Sequence, residues 1–207
     1  MNEKPILFNS EMVNAILSGR KTQTRRIISE NTLHLFDVAA SSGECHPIEL
    51  CDQRSQSYYL EFCPLGKTGD QLWVREAFAT GLCTKSTLAY RATHKTEDLE
   101  EGWGETIKWT PSIHMPRWAS RINLLITGVR VERLNDISDV DAMSEGIDAD
   151  RLAESQDHYD CIADHNMTGR PTAKWYFSNL WQSIYGEENW EANPWVWVIE
   201  FERMEAK

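Results

Sequence analysis

A chain of 207 residues with 41% hydrophobic and 26% charged side chains can bury a core without disulfide or metal staples, and no apolar run nears the roughly 18 residues that span a bilayer. A formal net charge of −11 argues against a general binder of extended duplex DNA, which presents a basic face. The opening MNEKPILFNS lacks the charged-then-apolar pattern of a signal peptide, so a cytoplasmic protein with free thiols at Cys45, Cys51, Cys63, Cys83 and Cys161 is expected.

In chain order, PILF reads as a short strand. Ser10 is expected to cap a helix whose apolar residues Met12, Val13, Ile16 and Leu17 share a face, with Gly19 just past its end. Lys21 to Ile28 reads as a loop entering a strand. Residues 29–57 are polar and read as an excursion with one strand at LHLFDV; SYYLEF reads as another strand. After the turn PLGKTGD come strands in QLWVREAF and STLAYRA, then a loop over 93–112. RINLLITGVRVERL reads as a strand pair with Gly128 at a bend or bulge. SDVDAMSEGI has Ser138 as an N-cap and Gly146 as a terminator. The acidic stretch that follows fits either a helix or a mobile flap. TAKWYFSNLWQSIYG presents a broad apolar helical face, and NPWVWVIEFER, apolar on both faces, reads as a buried final strand. Together these elements suggest a small curved sheet or barrel with flanking helices.

The acidic balance is uneven. Between Leu134 and His165 ten acids stand against Arg151 alone, while cations gather at Arg20, Lys21, Arg25 and Arg26 and again at Arg117, Arg121, Arg130 and Arg133. Such asymmetry can hide a local anion site in an acidic protein. GKTGD resembles the tail of a phosphate-binding loop, but Glu61 stands where that loop needs its first glycine, so a nucleotide triphosphatase is rejected. Cys45, His46 and Cys51 in CHPIELC, and the histidines of HYDCIADH, have metal-ligand residue types at spacings that fit no common module; no metal and no cofactor is expected.

Lys21 and Thr24 fit two readings. A threonine hydroxyl becomes a nucleophile when a base takes its proton, and a lysine serves when desolvation or neighbouring cations depress its pKa. The other reading is a solvated basic turn, and spacing does not separate them. In QLWVREAF, strand alternation sends Leu72, Val74 and Glu76 to one face and Trp73 and Arg75 to the other. Glu76 is then either a partly buried proton carrier or a salt bridge at the strand end. WTPSIHMPRWASR sets Trp109, His114, Arg117, Trp118 and Arg121 between prolines, a composition suited to stacking a base and holding a phosphate. Core filling is the competing use of tryptophan, expected above all for Trp181, Trp195 and Trp197.

GRKTQTRR following an N-terminal strand and helix resembles the G-x-K-x-x-T signature of the ASCH domain family, and GDQLWVREAF resembles that family's second motif, a glycine-aspartate turn leading to a strand that ends in glutamate. WTPSIHMPRWASRI, DISDVDAMSEGI and NPWVWVIEF resemble a phage and prophage branch of the same family. The resemblance implies an α+β, PUA-like fold: a small mixed β-barrel with flanking helices and a cleft for RNA or a modified nucleobase. It implies one domain over 1–207 with insertions around 29–57 and 149–170. By similarity to the bacterial members that deacetylate N4-acetylcytidine, Lys21, Thr24 and Glu76 are the expected catalytic residues of an amidohydrolase. Arg25, Arg26, Trp73, Arg75, His114, Arg117, Trp118 and Arg121 are the expected substrate contacts. The alternative is a single-stranded RNA-binding module or ribonuclease using the same cleft, and the acidic segment 134–165 offers a surface for a protein partner.

Overall fold

The computed structural model describes residues 2–50, 52–81, 87–103, 106–163 and 169–205. Cys51, Cys83, Asp164 and His165 lie outside the described residues. The fold is mixed α+β. A five-stranded sheet runs in the order β1 (Glu3–Leu7), β3 (Gln71–Arg75), β6 (Asn123–Arg133), β7 (Trp195–Arg203), β2 (Gln23–Ile27). β1 and β3 are parallel, and the other neighbours are antiparallel. A separate hairpin pairs β4 (Phe78–Thr80) with β5 (Leu88–Tyr90).

The expected closed barrel is corrected: among the described residues the sheet is open, with β1 and β2 as its edges. Both edge strands are only five residues long, and a side chain rather than a hydrogen-bond ladder joins them. Arg26 of β2 donates to the Leu7 carbonyl of β1 at 2.9 Å and lies over the Phe8 ring, 5.3 Å from its centroid.

β7 organises the core. Its alternating residues feed two apolar layers, Trp195, Trp197, Ile199 and Phe201 on one face and Val196 and Val198 on the other. The expectation of a final strand buried on both faces holds for this reason. The first layer takes α1 (Ser10–Leu17) and also the excursion after β2, which forms α2 (Glu30–Ser42) and α3 (Gln53–Leu60). Phe36 of α2 meets Trp197 edge-on at 6.3 Å, and Tyr59 of α3 stacks against Phe36 at 4.8 Å. The second layer takes α5 (Asp139–Ser144) and α7 (Ala173–Tyr185), which contributes Phe177 and Trp181.

Several local expectations change. Asn9, not Ser10, caps α1, its side chain accepting from the Met12 amide. LHLFDV and SYYLEF are helical rather than extended. Ser29 caps α2, Gly43 ends it at φ 81°, and burial of Phe36 and Ala39 follows a helical period. In α3, Ser55 and Tyr59 are buried four residues apart under an Asp52 cap. Part of the expected 93–112 loop is α4 (Thr96–Trp103). RINLLITGVRVERL gives one long strand, β6, not two. Its register slips between Ile126 and Gly128, where an added Cβ would stand 2.7 Å from Glu200 Oε2. After α5, the acidic stretch forms a helix, α6 (Ala149–Ile162), none of whose residues is buried. α8 (Glu187–Glu191) leads into β7.

Candidate functional site

Backbone pairing places Lys21 before any side-chain interaction does. Its amide donates to the Ala15 carbonyl of α1 at 2.9 Å, and the next amide, of Thr22, donates to the Ser144 carbonyl at the end of α5 at 2.8 Å. Lys21 and Glu145 thus form an isolated antiparallel bridge between segments more than 120 residues apart. Gly146 makes the approach possible: at φ 101°, a Cβ there would meet the Cβ atoms of both Ala15 and Lys21 at 3.0 Å.

The Lys21 side chain, 2% exposed, then has one place to go. Nζ donates to Glu145 Oε2 at 2.6 Å and to the Glu145 carbonyl at 2.8 Å. Burial pushes the amine's pKa down from the ordinary lysine range; Glu145 opposes that shift, and Arg26 and Arg25 add to it. Lys21 is buried, so the solvated basic turn is not what forms.

Glu145 also anchors a wider buried network. Its Oε1 accepts from Arg25 Nη1 at 3.1 Å. Arg25, fully buried on β2, further donates to Gln23 Oε1 at 2.5 Å and to Glu132, with Asp141 Oδ2 at 3.6 Å. Arg130 closes the outer side, binding Glu132 at 3.0 Å and Asp141 at 3.1 Å. Two of the ten acids between Leu134 and His165 point inward: Asp141 and Glu145 are countercharges to β2 and β6.

Two cavities meet at this network. One, of about 380 Å³, is bordered by Thr24, Arg25, Arg26 and Glu145 on its polar side and by Phe177 and Trp181 of α7 on the other. The second, of about 530 Å³, is bordered by Asn14, Arg20, Asp148, Arg151 and Asn179. Asn9, Met12, Glu145 and Leu180 border both. Among the described residues lining them, neither Lys21 nor Glu76 appears.

Glu76 sits elsewhere. It follows β3, is 2% exposed, and is clasped in a bidentate pair by Arg121, Nε to Oε1 at 2.8 Å and Nη2 to Oε2 at 2.9 Å. The Arg121 guanidinium lies 4.0 Å from the Tyr90 ring centroid, and the Glu76 amide faces Met115 Sδ. Strand alternation predicted its inward direction correctly, since Leu72 and Val74 are buried on the same face. The lysine and the glutamate thus each have a different partner, Glu145 for Lys21 and Arg121 for Glu76.

The remaining candidates divide. Arg25 and Arg26 border the smaller cavity with Thr24. Trp73, Arg75 and Arg117 form a stack outside it, the guanidinium carbons 4.7 and 5.8 Å from the Trp73 ring centroid. Arg117 is bound to Glu3 at 2.9 Å. His114 lies exposed on a single 3-10 turn, and Trp118 is 67% exposed. Trp181, Trp195 and Trp197 are core residues. His46 lies 3.8 Å from Asp52, and no group of three His, Cys, Asp or Glu side chains suited to a metal occurs among the described residues.

Sequence reasoning missed Glu145, Glu132, Asp141 and Gln23. The one local signal was Glu145-Gly146 at the end of a capped helix, a place where a positive-φ glycine lets the chain fold back.

No family model matches the chain, and no curated protein matches it. Among solved structures it is similar to the crystal structure of an ASCH domain from Lactobacillus crispatus, at 14% identity and a TM-score of 0.36, over 98% of this chain and 79% of that one. A TM-score of 0.36 is too low for the likeness to bear on fold or chemistry.

Proposed function

We propose that this chain is an ASCH-type, PUA-like domain acting as an amidohydrolase on an N4-acylated cytidine or a related modified nucleoside. Thr24 is the nucleophile, and the Lys21–Glu145 pair accepts its proton. One observation carries the reading: a desolvated lysine with depressed pKa is fixed to a carboxylate that borders the same cavity as Thr24, opposite the aromatic side chains Phe177 and Trp181. Arg26 borders the cavity beside Thr24, where it can hold a carbonyl or ribose oxygen. Glu76, locked to Arg121, supports the segment leaving β3. The excursions after β2 and after α5 belong to the same domain, since Phe36 and Tyr59 enter the main core and Leu152 packs on the second layer.

The reading as a single-stranded RNA binder or ribonuclease has less support. It would draw on Lys21, Arg25, Arg26, Arg117 and Arg121, and all of these but Arg26 already face carboxylates. The test is direct. Purified protein incubated with N4-acetylcytidine should release cytidine at a rate little changed between low and moderate salt. RNA binding that falls steeply with salt, without nucleoside turnover, would replace this reading with the other.

A further inference from the structure

We infer that Glu145, not Lys21 or Glu76, is the group that faces the reacting atoms, and that Lys21 is a positioning residue acting through it. The inference rests on the hydrolase reading for its chemistry and on geometry for the assignment. Glu145 borders both cavities at their junction, whereas Lys21 borders neither. The lysine has its Nζ directed at Glu145 Oε2 and at the Glu145 carbonyl, so the ammonium is spent on holding this one residue. Arg25 holds the other carboxylate oxygen. Glu76, clasped by Arg121, borders neither cavity.

The charged groups around Glu145 come from every packed element. Lys21 precedes β2, Arg25 lies on β2, Glu132 and Arg130 on β6, and Asp141 on α5, while Arg20, Asp148, Arg151 and Glu11 edge the larger cavity. Among the described residues, the cations in direct contact with the carboxylate are Lys21 and Arg25.

The proton account closes. As Thr24 Oγ bonds to the acyl carbon, its proton passes to Glu145. Glu145 then protonates the exocyclic nitrogen as the carbon–nitrogen bond breaks, which leaves an acyl-threonine ester and the free amine. Water attacks the ester and gives a proton to Glu145. The carbon–Oγ bond breaks, Oγ recovers that proton, and the carboxylic acid departs. The sum is amide plus water to acid plus amine, with Glu145 unchanged.

The experiment compares wild type, Glu145→Gln, Glu145→Asp, Lys21→Met and Lys21→Arg, each checked for folding by circular dichroism, with Arg170→Ala as a surface control. Two quantities are read: the pH profile of kcat on N4-acetylcytidine, and cytidine binding by quenching of tryptophan fluorescence. A carboxylate acceptor gives a pH profile with an acid limb and a plateau above it. Glu145→Gln should then lower kcat by about 10²–10⁴-fold and remove that acid limb. Lys21→Arg, which keeps a cation behind Glu145 that cannot act as a base, should retain measurable kcat with the limb in place. Should Glu145→Gln unfold, Glu145→Asp decides, through reduced kcat with the acid limb kept. Activity that rises only toward alkaline pH, survives Glu145→Gln and vanishes in Lys21→Arg would overturn the assignment. If wild type hydrolyses nothing, the hydrolase reading falls alone, provided Glu145→Gln weakens cytidine binding about tenfold. Binding that is unaltered by Glu145→Gln, or absent in wild type, overturns the assignment too.

Discussion

Two buried carboxylates invite comparison. Glu76 and Glu145 are 2% and 5% exposed, and each is bound by arginine or lysine at hydrogen-bond distance. Burial and pairing are therefore the same for both; access differs. Glu76 meets a single arginine that bonds both oxygens and stacks on Tyr90, away from both cavities. Glu145 divides its oxygens between two cations from different segments and stands where two cavities join. Buried, paired charge occurs in both structural ion pairs and functional sites. What separates the two carboxylates here is that Glu145 borders the cavities and Glu76 does not.

Removing each carboxylate sharpens the contrast. Glu145→Ala leaves Lys21 and Arg25 without a shared countercharge in a desolvated site, and a loss of about 3–5 kcal/mol is expected, read as a fall in the urea midpoint. Gly146→Ala should cost roughly 1–3 kcal/mol, because the new Cβ meets Ala15 and Lys21 at 3.0 Å in a left-handed backbone; it should also displace Glu145 and depress turnover. Glu76→Ala frees Arg121, which is partly solvated already, so about 1–2 kcal/mol is expected, seen as a lower Tm. Equal losses for Glu76→Ala and Glu145→Ala would remove the distinction between a local clasp and a network hub. Arg20→Ala, which breaks a half-exposed pair with Asp148, should stay within about 0.5 kcal/mol.

The smallest effect is a slope. Lys21 has a folded pKa below its unfolded one. Between the two, the unfolded chain binds the extra proton, so this residue's contribution to stability rises with pH through that window. It is unfavourable at neutral pH and fades toward the ordinary lysine value of about 10.4. The Tm of wild type relative to Lys21→Met should therefore improve from pH 7 to 10. A difference that stays level, or moves the other way, would mean that the Glu145 ion pair outweighs desolvation.

The elements carrying the core were legible where one periodicity ran unbroken. β7 shows apolar residues at consecutive positions, α7 shows a 3.6-residue stripe, and capped α5 shows Ser138 and Gly146 at its ends. α2 and α3 were not legible as helices. Short apolar runs such as LHLFDV suit either state, and the tertiary contacts of Phe36 with Trp197 and with Tyr59 decided between them. Charge was legible in amount but not in direction, since Asp141 and Glu145, from a segment taken as a surface for a protein partner, fold back as partners of Arg130 and Arg25.

Residue types and local spacing alone singled out Lys21, Thr24 and Glu76 without deciding between chemistry and a solvated turn or salt bridge, and gave the strand face that Glu76 shares with Leu72 and Val74. Only the tertiary structure chose the partners. Lys21 met Glu145 rather than Glu76 because a glycine at positive φ let the end of α5 reach the backbone after α1, more than 120 residues away in sequence. Ion pairing acts over a few ångströms of space, and sequence separation carries no record of that distance.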